Sequence, residues 1–204
     1  MTQNLPRGLT DCLLWAPEKG YGFHTRPAMR YEGQYFEHYR KLDATPMGGL
    51  LTKARLELVG KYCRPNETLD IGIGGGRYVE ESGGFGYDVC DDANRWLFDQ
   101  KRYRDIEFTW PSVTCWDSLE HVPDPEHLLS KVKEWLFVSM PIYDGPEDVL
   151  KSKHYKPGEH LHYWTLPGFI NWCADQGFEC IEVNHAETDL GREGITSFAF
   201  KRVQ

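Results

Sequence analysis

The residues with the most definite chemical meaning in this chain are Asp70, Gly72, Gly74 and Gly76, spaced as D-x-G-x-G-x-G, with Asp88 following 18 positions after Asp70. The short apolar run over 68–72 carries an acid and opens into four glycines within five positions. It predicts a buried strand that enters a tight turn before a helix. Glycine tolerates positive φ and has no Cβ, so the N–H groups of such a turn can come close to a bound nucleotide. A merely flexible turn would use the same residues, and Asp88 separates the two readings. An acid about 20 residues further on, at the end of a second strand, is placed to accept hydrogen bonds from ribose hydroxyls. A cap for the following helix is the alternative role at Asp88.

The second group is Glu120, His121, His160, His162 and Tyr143. Histidine is the usual base near neutral pH, and His121 stands just past a predicted strand, where it reads equally as a base or as a cap of the next helix. His160 and His162 alternate, so on extended backbone they share one side. A metal pair would have that spacing, but no third ligand stands at a convincing distance in sequence, and no metal site is assigned. A substrate-facing or hydrogen-bonded role is expected for both. Tyr143 opens a segment over 142–158 rich in Gly, Pro and charge, which reads as a lid or as a solvated connection.

These residues must be held by regular elements. Leu50, Leu51, Ala54, Leu58 and Val59 recur at helical spacing and predict an amphipathic helix over 47–63, stopped by Arg64-Pro65-Asn66. After the strand at 68–72 the pattern predicts a helix over 77–82, a strand over 85–89 and a helix within 91–104. A strand at 113–116 and a helix over 125–137, with Leu128, Leu129, Val132 and Leu136 on one face, come next. A strand at 136–140, a helix over 167–176 and a final strand pair at 180–183 and 196–201 complete the chain. Strands alternating with helices predict an α/β fold: a Rossmann-like, doubly wound, mostly parallel sheet with an antiparallel C-terminal strand. Residues 1–46 read as an irregular cap or substrate arm that could also simply pack on the main domain, which spans 47–204.

Composition bounds the function. A chain of 204 residues with 40% hydrophobic and 26% charged residues makes one ordinary domain. The net charge of -8 disfavours a grip on long duplex nucleic acid, which relies on Lys and Arg. The six cysteines form no C-x-x-C pair, which argues against a zinc site or a disulfide scaffold. No apolar run approaches the roughly 20 residues that span a bilayer, and the N-terminus lacks a basic start and apolar h-region, so no membrane partner is expected and cytoplasm is the expected location.

The D-x-G-x-G-x-G pattern, with Gly86-Tyr87-Asp88, resembles the first two motifs of class I S-adenosylmethionine-dependent methyltransferases. The run Leu119-Glu120-His121-Val122-Pro123-Asp124-Pro125 is similar to the "LEHVPDP" segment of the ubiquinone- and menaquinone-type branch, and Phe137-Val138-Ser139-Met140-Pro141 to its next strand. Glu159-His160-Leu161-His162-Tyr163-Trp164-Thr165, then Gly177-Phe178, is similar to a late signature of that branch. The resemblance spans about 47–204. It implies S-adenosyl-L-methionine as cofactor, with Gly72, Gly74 and Gly76 near its methionine and ribose and Asp88 on the ribose hydroxyls. Asp70 would orient the turn or contact the amino group, and Trp116 and Asp117 would flank the methionine end. Val89, Cys90, Trp110 and Trp116 are the candidates for the adenine side, and acceptors would bind near Glu120 and His121. The chain departs from the family pattern between 105 and 112. Only a few residues separate the helix from the next strand, too few for a parallel crossover, so the third family strand is expected to be missing or reduced to an edge fragment, leaving six strands.

The implied activity is methyl transfer to an oxygen or nitrogen of a small-molecule acceptor. Alternatives are a nucleotide or nucleic-acid base as acceptor, and a cofactor-binding but non-catalytic partner subunit. A nicotinamide oxidoreductase is disfavoured because G-x-G-x-x-G starting at Gly72 would need glycine where Arg77 stands. A homodimer is compatible with the chain.

Overall fold

The structure is a computed structural model that describes residues 7–10, 12–25 and 34–203. The chain runs β1 (Arg7–Gly8), β2 (Leu13–Ala16), β3 (Tyr21–His24), α1 (Tyr35–Asp43), α2 (Pro46–Gly60), β4 (Thr68–Ile71), α3 (Arg77–Ser82), β5 (Phe85–Tyr87) and α4 (Asp91–Asp99). It continues with β6 (Trp110–Trp116), α5 (Pro125–Ser130), β7 (Val132–Pro141), α6 (Pro146–Lys151), β8 (His162–Trp164), α7 (Leu166–Asp175), β9 (Phe178–Asn184), α8 (Ala186–Asp189) and β10 (Ile195–Arg202). Residues 1–6, 11 and 26–33 of the expected N-terminal cap lie outside the described residues.

A six-stranded sheet in the order β5-β4-β6-β7-β10-β9 forms the centre. β5, β4, β6 and β7 are parallel, and β10 is antiparallel to both of its neighbours. The sheet is a Rossmann-like α/β sheet with an antiparallel C-terminal strand, as the alternation of elements predicts. Side chains alternate across it. Leu69, Ile71, Val113, Cys115, Val138 and Met140 pack under α5 and α7 on one face, and Trp116, Trp135 and Phe137 pack under Leu58 of α2 and Tyr78 of α3 on the other.

The third family strand survives only as an edge fragment. Gly86 donates to the Arg102 carbonyl and accepts from the Arg104 N–H, both at 3.0 Å, around a single bridge to Tyr103. The chain then turns and enters β6 at Trp110, three positions earlier than the expected start.

Three expectations need correction. The helix expected over 125–137 ends at Ser130, and Val132 and Leu136 belong to β7. They are buried with Leu128 and Leu129 as the pattern requires, but from a strand whose two apolar faces mimic helical spacing over so short a run. α2 starts at Pro46, where Thr45 Oγ1 accepts from the Gly48 N–H at 3.1 Å, and it buries Gly48, Thr52, Leu58 and Val59 while Leu50 stays 48% exposed. Its inner face is set by the close approach of α1, whose Asp43 backbone a Cβ at Gly48 would overlap. The N-terminal cap is more regular than expected: β1, β2 and β3 form an antiparallel meander that pairs with β8, with Tyr21 opposite Trp164 and Phe23 opposite His162. Among the described residues no helix is long and apolar enough to cross a membrane, and all six cysteines are free thiols.

The meander is fastened to the main sheet at α7. The Thr165 N–H donates to Gly20 O at 2.8 Å, and a Cβ added at Gly168 would overlap Gly20 O and lie 2.6 Å from Lys19 O, both backbone atoms that cannot rotate away. Gly168→Ala is therefore expected to lower unfolding stability by about 1–3 kcal/mol. Gly60→Ala, at a helix end with open space around it, should be neutral or slightly stabilising, and thermal melts of the two variants check the contrast.

Candidate functional site

The site forms where β4 and β6 end. Gly72 takes φ +74 and its N–H donates to Tyr87 O at 2.9 Å; a Cβ there would lie 2.7 Å from Ser118 Cβ, whose hydroxyl donates to Ile71 O at 2.6 Å. Gly76, at φ +84, stands against the Trp96 ring with no room for a side chain and starts α3. α1 clamps this turn from outside: Arg40 donates to Gly75 O at 3.0 Å, the Arg77 N–H donates to Asp43 Oδ2 at 3.1 Å, and the Arg77 guanidinium donates to Asp43 O at 2.6 Å. These bonds cross the boundary drawn at residue 46 and tie the arm's helix to the glycine turn.

A cavity of about 600 Å³ opens in front of the turn, lined among others by Gly72, Asp88, Val89, Asp117 and His121. Asp88 is 3% exposed. Its Oδ1 accepts from the Cys90 N–H at 2.9 Å, so it does take part in the turn that leads into α4. Burial pushes its carboxyl up to about 6, opposed by N–H bonds from Cys90, Ile73 and Val89. Asp70 does not line the cavity. It is buried behind the turn, where Oδ1 accepts from the Thr114 hydroxyl at 2.7 Å, and burial pushes it up to about 7.

Asp117 follows β6 with φ +53, unusual for a residue with a side chain. Arg192 donates to both its oxygens, at 2.6 and 2.9 Å, and Arg55 to Oδ2 at 3.1 Å. The same arginines hold Glu187, which also accepts from the Ser139 hydroxyl at 2.6 Å. Burial works against the charge on Glu187, but the two guanidinium groups and their hydrogen bonds hold its carboxyl well below the usual range, and the acids raise both arginines in turn.

Glu120, His121 and His160 come together beside the cavity, which His121 alone of the three lines. The His121 and His160 rings are 4.6 Å apart, and His121 Nε2 is 3.7 Å from Glu120 Oε1. One ligand-capable atom from each of the three residues lies within 4.8 Å of the other two. Burial pushes the Glu120 carboxyl well up, with Asp117 adding to it, and pushes His121 down to about 4 and His160 to about 2. His160 and His162 do not act as the alternating pair their spacing suggested, because His160 precedes β8. His162 Nε2 lies 2.9 Å from Val122 O, which can only accept, so Nε2 carries the proton and Nδ1 accepts from the Tyr21 hydroxyl at 2.6 Å. It lies outside the cavity, beside Tyr21 and Trp164, with ring centroids 5.9 and 5.4 Å from theirs.

Three further candidates lie elsewhere. Trp116 points to the opposite sheet face, edge-on to Tyr78 with Arg55 over its ring. Trp110 packs on Phe85. Tyr143 is buried among Leu13, Trp15, Val149 and Tyr163, its hydroxyl directed at His154 O at 3.4 Å. Each is an aromatic next to a strand end, where one step in register decides the face. The cavity wall on the side of the lost strand is built instead by Tyr87, Ile106 and Glu107, with Tyr35 from α1 across the opening. Glu107 is held by His127 at 3.2 Å and Lys131 at 3.5 Å. The residues 106–107 were visible in sequence only as a failed strand; the signal was the apolar Ile106 in a segment too short to cross over.

A family model described as a methyltransferase domain matches residues 35–183. No curated protein matches the sequence. Among solved structures, the chain is similar to a putative methyltransferase from Haloferax volcanii in complex with the Trm112 methyltransferase activator, at 13% identity and TM-score 0.63, covering 85% of this chain and 100% of that one. It is similar to a possible histamine N-methyltransferase from Thermotoga maritima at 14% identity and TM-score 0.58, covering 83% and 97%. It is also similar to the magnesium protoporphyrin IX methyltransferase of Synechocystis PCC 6803 with bound SAH, at 14% identity and TM-score 0.54, covering 85% and 90%.

The buried acids give the ligand-free protein a distinctive pH response. A carboxyl raised in the folded state binds more protons there than in the unfolded chain, so its contribution to stability is present at low pH and is lost as pH rises through the folded value. Stability should thus fall between about pH 4 and pH 7 on account of Asp70 and Asp88. Asp70→Asn, which keeps the acceptor for Thr114, is expected to recover a few kcal/mol at pH 8, as measured by urea unfolding across pH.

Proposed function

Because the chain belongs to the methyltransferase-domain family, we propose that it transfers the methyl group of S-adenosyl-L-methionine to an oxygen or nitrogen of a small-molecule acceptor. The observation that carries this reading is that one cavity is lined by Gly72 and Asp88 together with Asp117 and His121. The volume, about 600 Å³, is in the range of small-molecule sites and suits a nucleoside donor with a compact acceptor.

Methyl transfer from a sulfonium asks for alignment of acceptor, carbon and sulfur, and for a route for the acceptor's proton. In this reading the glycine turn receives the methionine and ribose, and Asp88 accepts from the ribose hydroxyls with the oxygen not used by Cys90. Ile106 and Tyr87 take the adenine side in place of the lost strand. Asp117, held by two arginines, offers the methionine end a fixed acceptor for its ammonium group. Neutral His121 faces the acceptor.

Titration calorimetry tests the reading. S-adenosylhomocysteine is expected to bind and NAD not to bind. Asp88→Ala should weaken S-adenosylhomocysteine by at least about 10-fold, the value of one or two hydrogen bonds to a charged group. Binding of NAD alone, or unchanged affinity in Asp88→Ala, would reject it. Cofactor binding with no turnover on any acceptor would favour a non-catalytic partner subunit.

A further inference from the structure

We propose that Glu120, His121 and His160 form a binding site for one divalent transition-metal ion beside the cavity. Neither oxygen of Glu120 has a hydrogen-bond partner, and neither does Nδ1 of His160, although the two residues are 2% and 4% exposed. Buried polar groups are almost always satisfied, so a carboxylate and an imidazole left without partners beside each other point to a ligand that accepts lone pairs. A cation at their meeting point satisfies both together with His121.

The donor set defines the ion. Two imidazoles and one carboxylate suit Zn²⁺, Co²⁺ or Mn²⁺, whereas Mg²⁺ prefers an oxygen shell with retained water. The ligand atoms now lie within 4.8 Å of one another. Around tetrahedral zinc they would be about 3.3 Å apart, so the bound ion draws the three side chains together. The elements that carry them are already fixed. The Leu161 N–H donates to Glu120 O at 2.8 Å, and the His121 N–H to Ser118 O at 3.0 Å; Tyr163 donates to His160 O at 3.1 Å. Asp117 is engaged by Arg55 and Arg192 and stays outside the set, and the nearby Lys156 is paired with Glu159 at 3.1 Å.

Three protein ligands leave coordination positions open, and His121 lines the cavity. On the methyl-transfer reading above, on which this step rests, the ion takes the acceptor hydroxyl as a ligand, making the acceptor an alcohol or phenol. The hydroxyl releases its proton to solvent, its oxygen forms the bond to the methyl carbon, and the carbon–sulfur bond breaks with its electron pair remaining on sulfur.

The test uses tag-free full-length protein stripped with chelator and titrated with Co²⁺ and Zn²⁺ by calorimetry, with the visible absorption of Co²⁺ as a second readout. One ion per chain is expected, with no competition from millimolar Mg²⁺. Glu120→Gln and His160→Gln should each weaken binding at least about 100-fold. Folding of each variant is checked by circular dichroism, and His121→Asn, at the cavity rim, serves where a buried variant fails to fold. Absence of a saturable site, or unchanged binding in the folded variants, overturns the site. S-adenosylhomocysteine titration in the same samples separates the two proposals: metal binding without cofactor binding rejects the methyl-transfer reading and leaves the metal site standing.

Discussion

Two carboxylates, Asp117 and Glu187, and two guanidinium groups, Arg55 and Arg192, hold the C-terminal end of the sheet in one arrangement. Arg55 comes from α2, Asp117 from the turn after β6, Glu187 from α8 and Arg192 from the turn before β10, and Ser139 of β7 adds a hydroxyl. Glu187 is 1% exposed. A charge at that depth is tolerable only if every lone pair is matched, and removal of one partner leaves the others uncompensated. The network thereby fixes the helix, the turn and the last strand relative to one another, and with them the left-handed Asp117 that borders the cavity.

The cavity itself follows from two opposing constraints. The glycine turn must stay open, which requires residues without Cβ atoms against Ser118 and Trp96, and α1 is bonded to the turn's outer side to keep it in place. On the other side the sheet stops one strand early, because the chain between α4 and β6 is too short to return in parallel. The edge left on β5 is covered by the backbone of Arg102 and Arg104, and the turn that follows brings Ile106 and Glu107 to the cavity. A shortened chain has exchanged a strand for a turn and kept a wall.

How far these features were readable from residues varied with the range of the interaction. The glycine turn, the Asp88 spacing and the six-strand count rest on neighbours within about twenty positions, and the structure has them where the pattern puts them. The side of the sheet to which Trp116 and Tyr143 point, and the pairing of His160 with His121 across 39 positions, depend on register and on which segment packs on which. His160 and His162 show why: alternation puts both on one side of an extended segment, but the strand begins at His162, and Tyr21 from the distant meander captures it.

The sequence by itself determined the order of strands and helices from α2 to β7, the glycine turn and the absence of a full third strand, since each is dictated by local backbone sterics, hydrophobic period and chain length. Tertiary structure alone decided which polar groups meet: the Arg55–Asp117–Glu187–Arg192 network, the regular meander that seats His162, and the convergence of Glu120, His121 and His160. Such meetings join residues tens to more than a hundred positions apart, and they are fixed only when burial removes water and forces each buried charge or ring nitrogen toward whatever partner the packing has placed nearby.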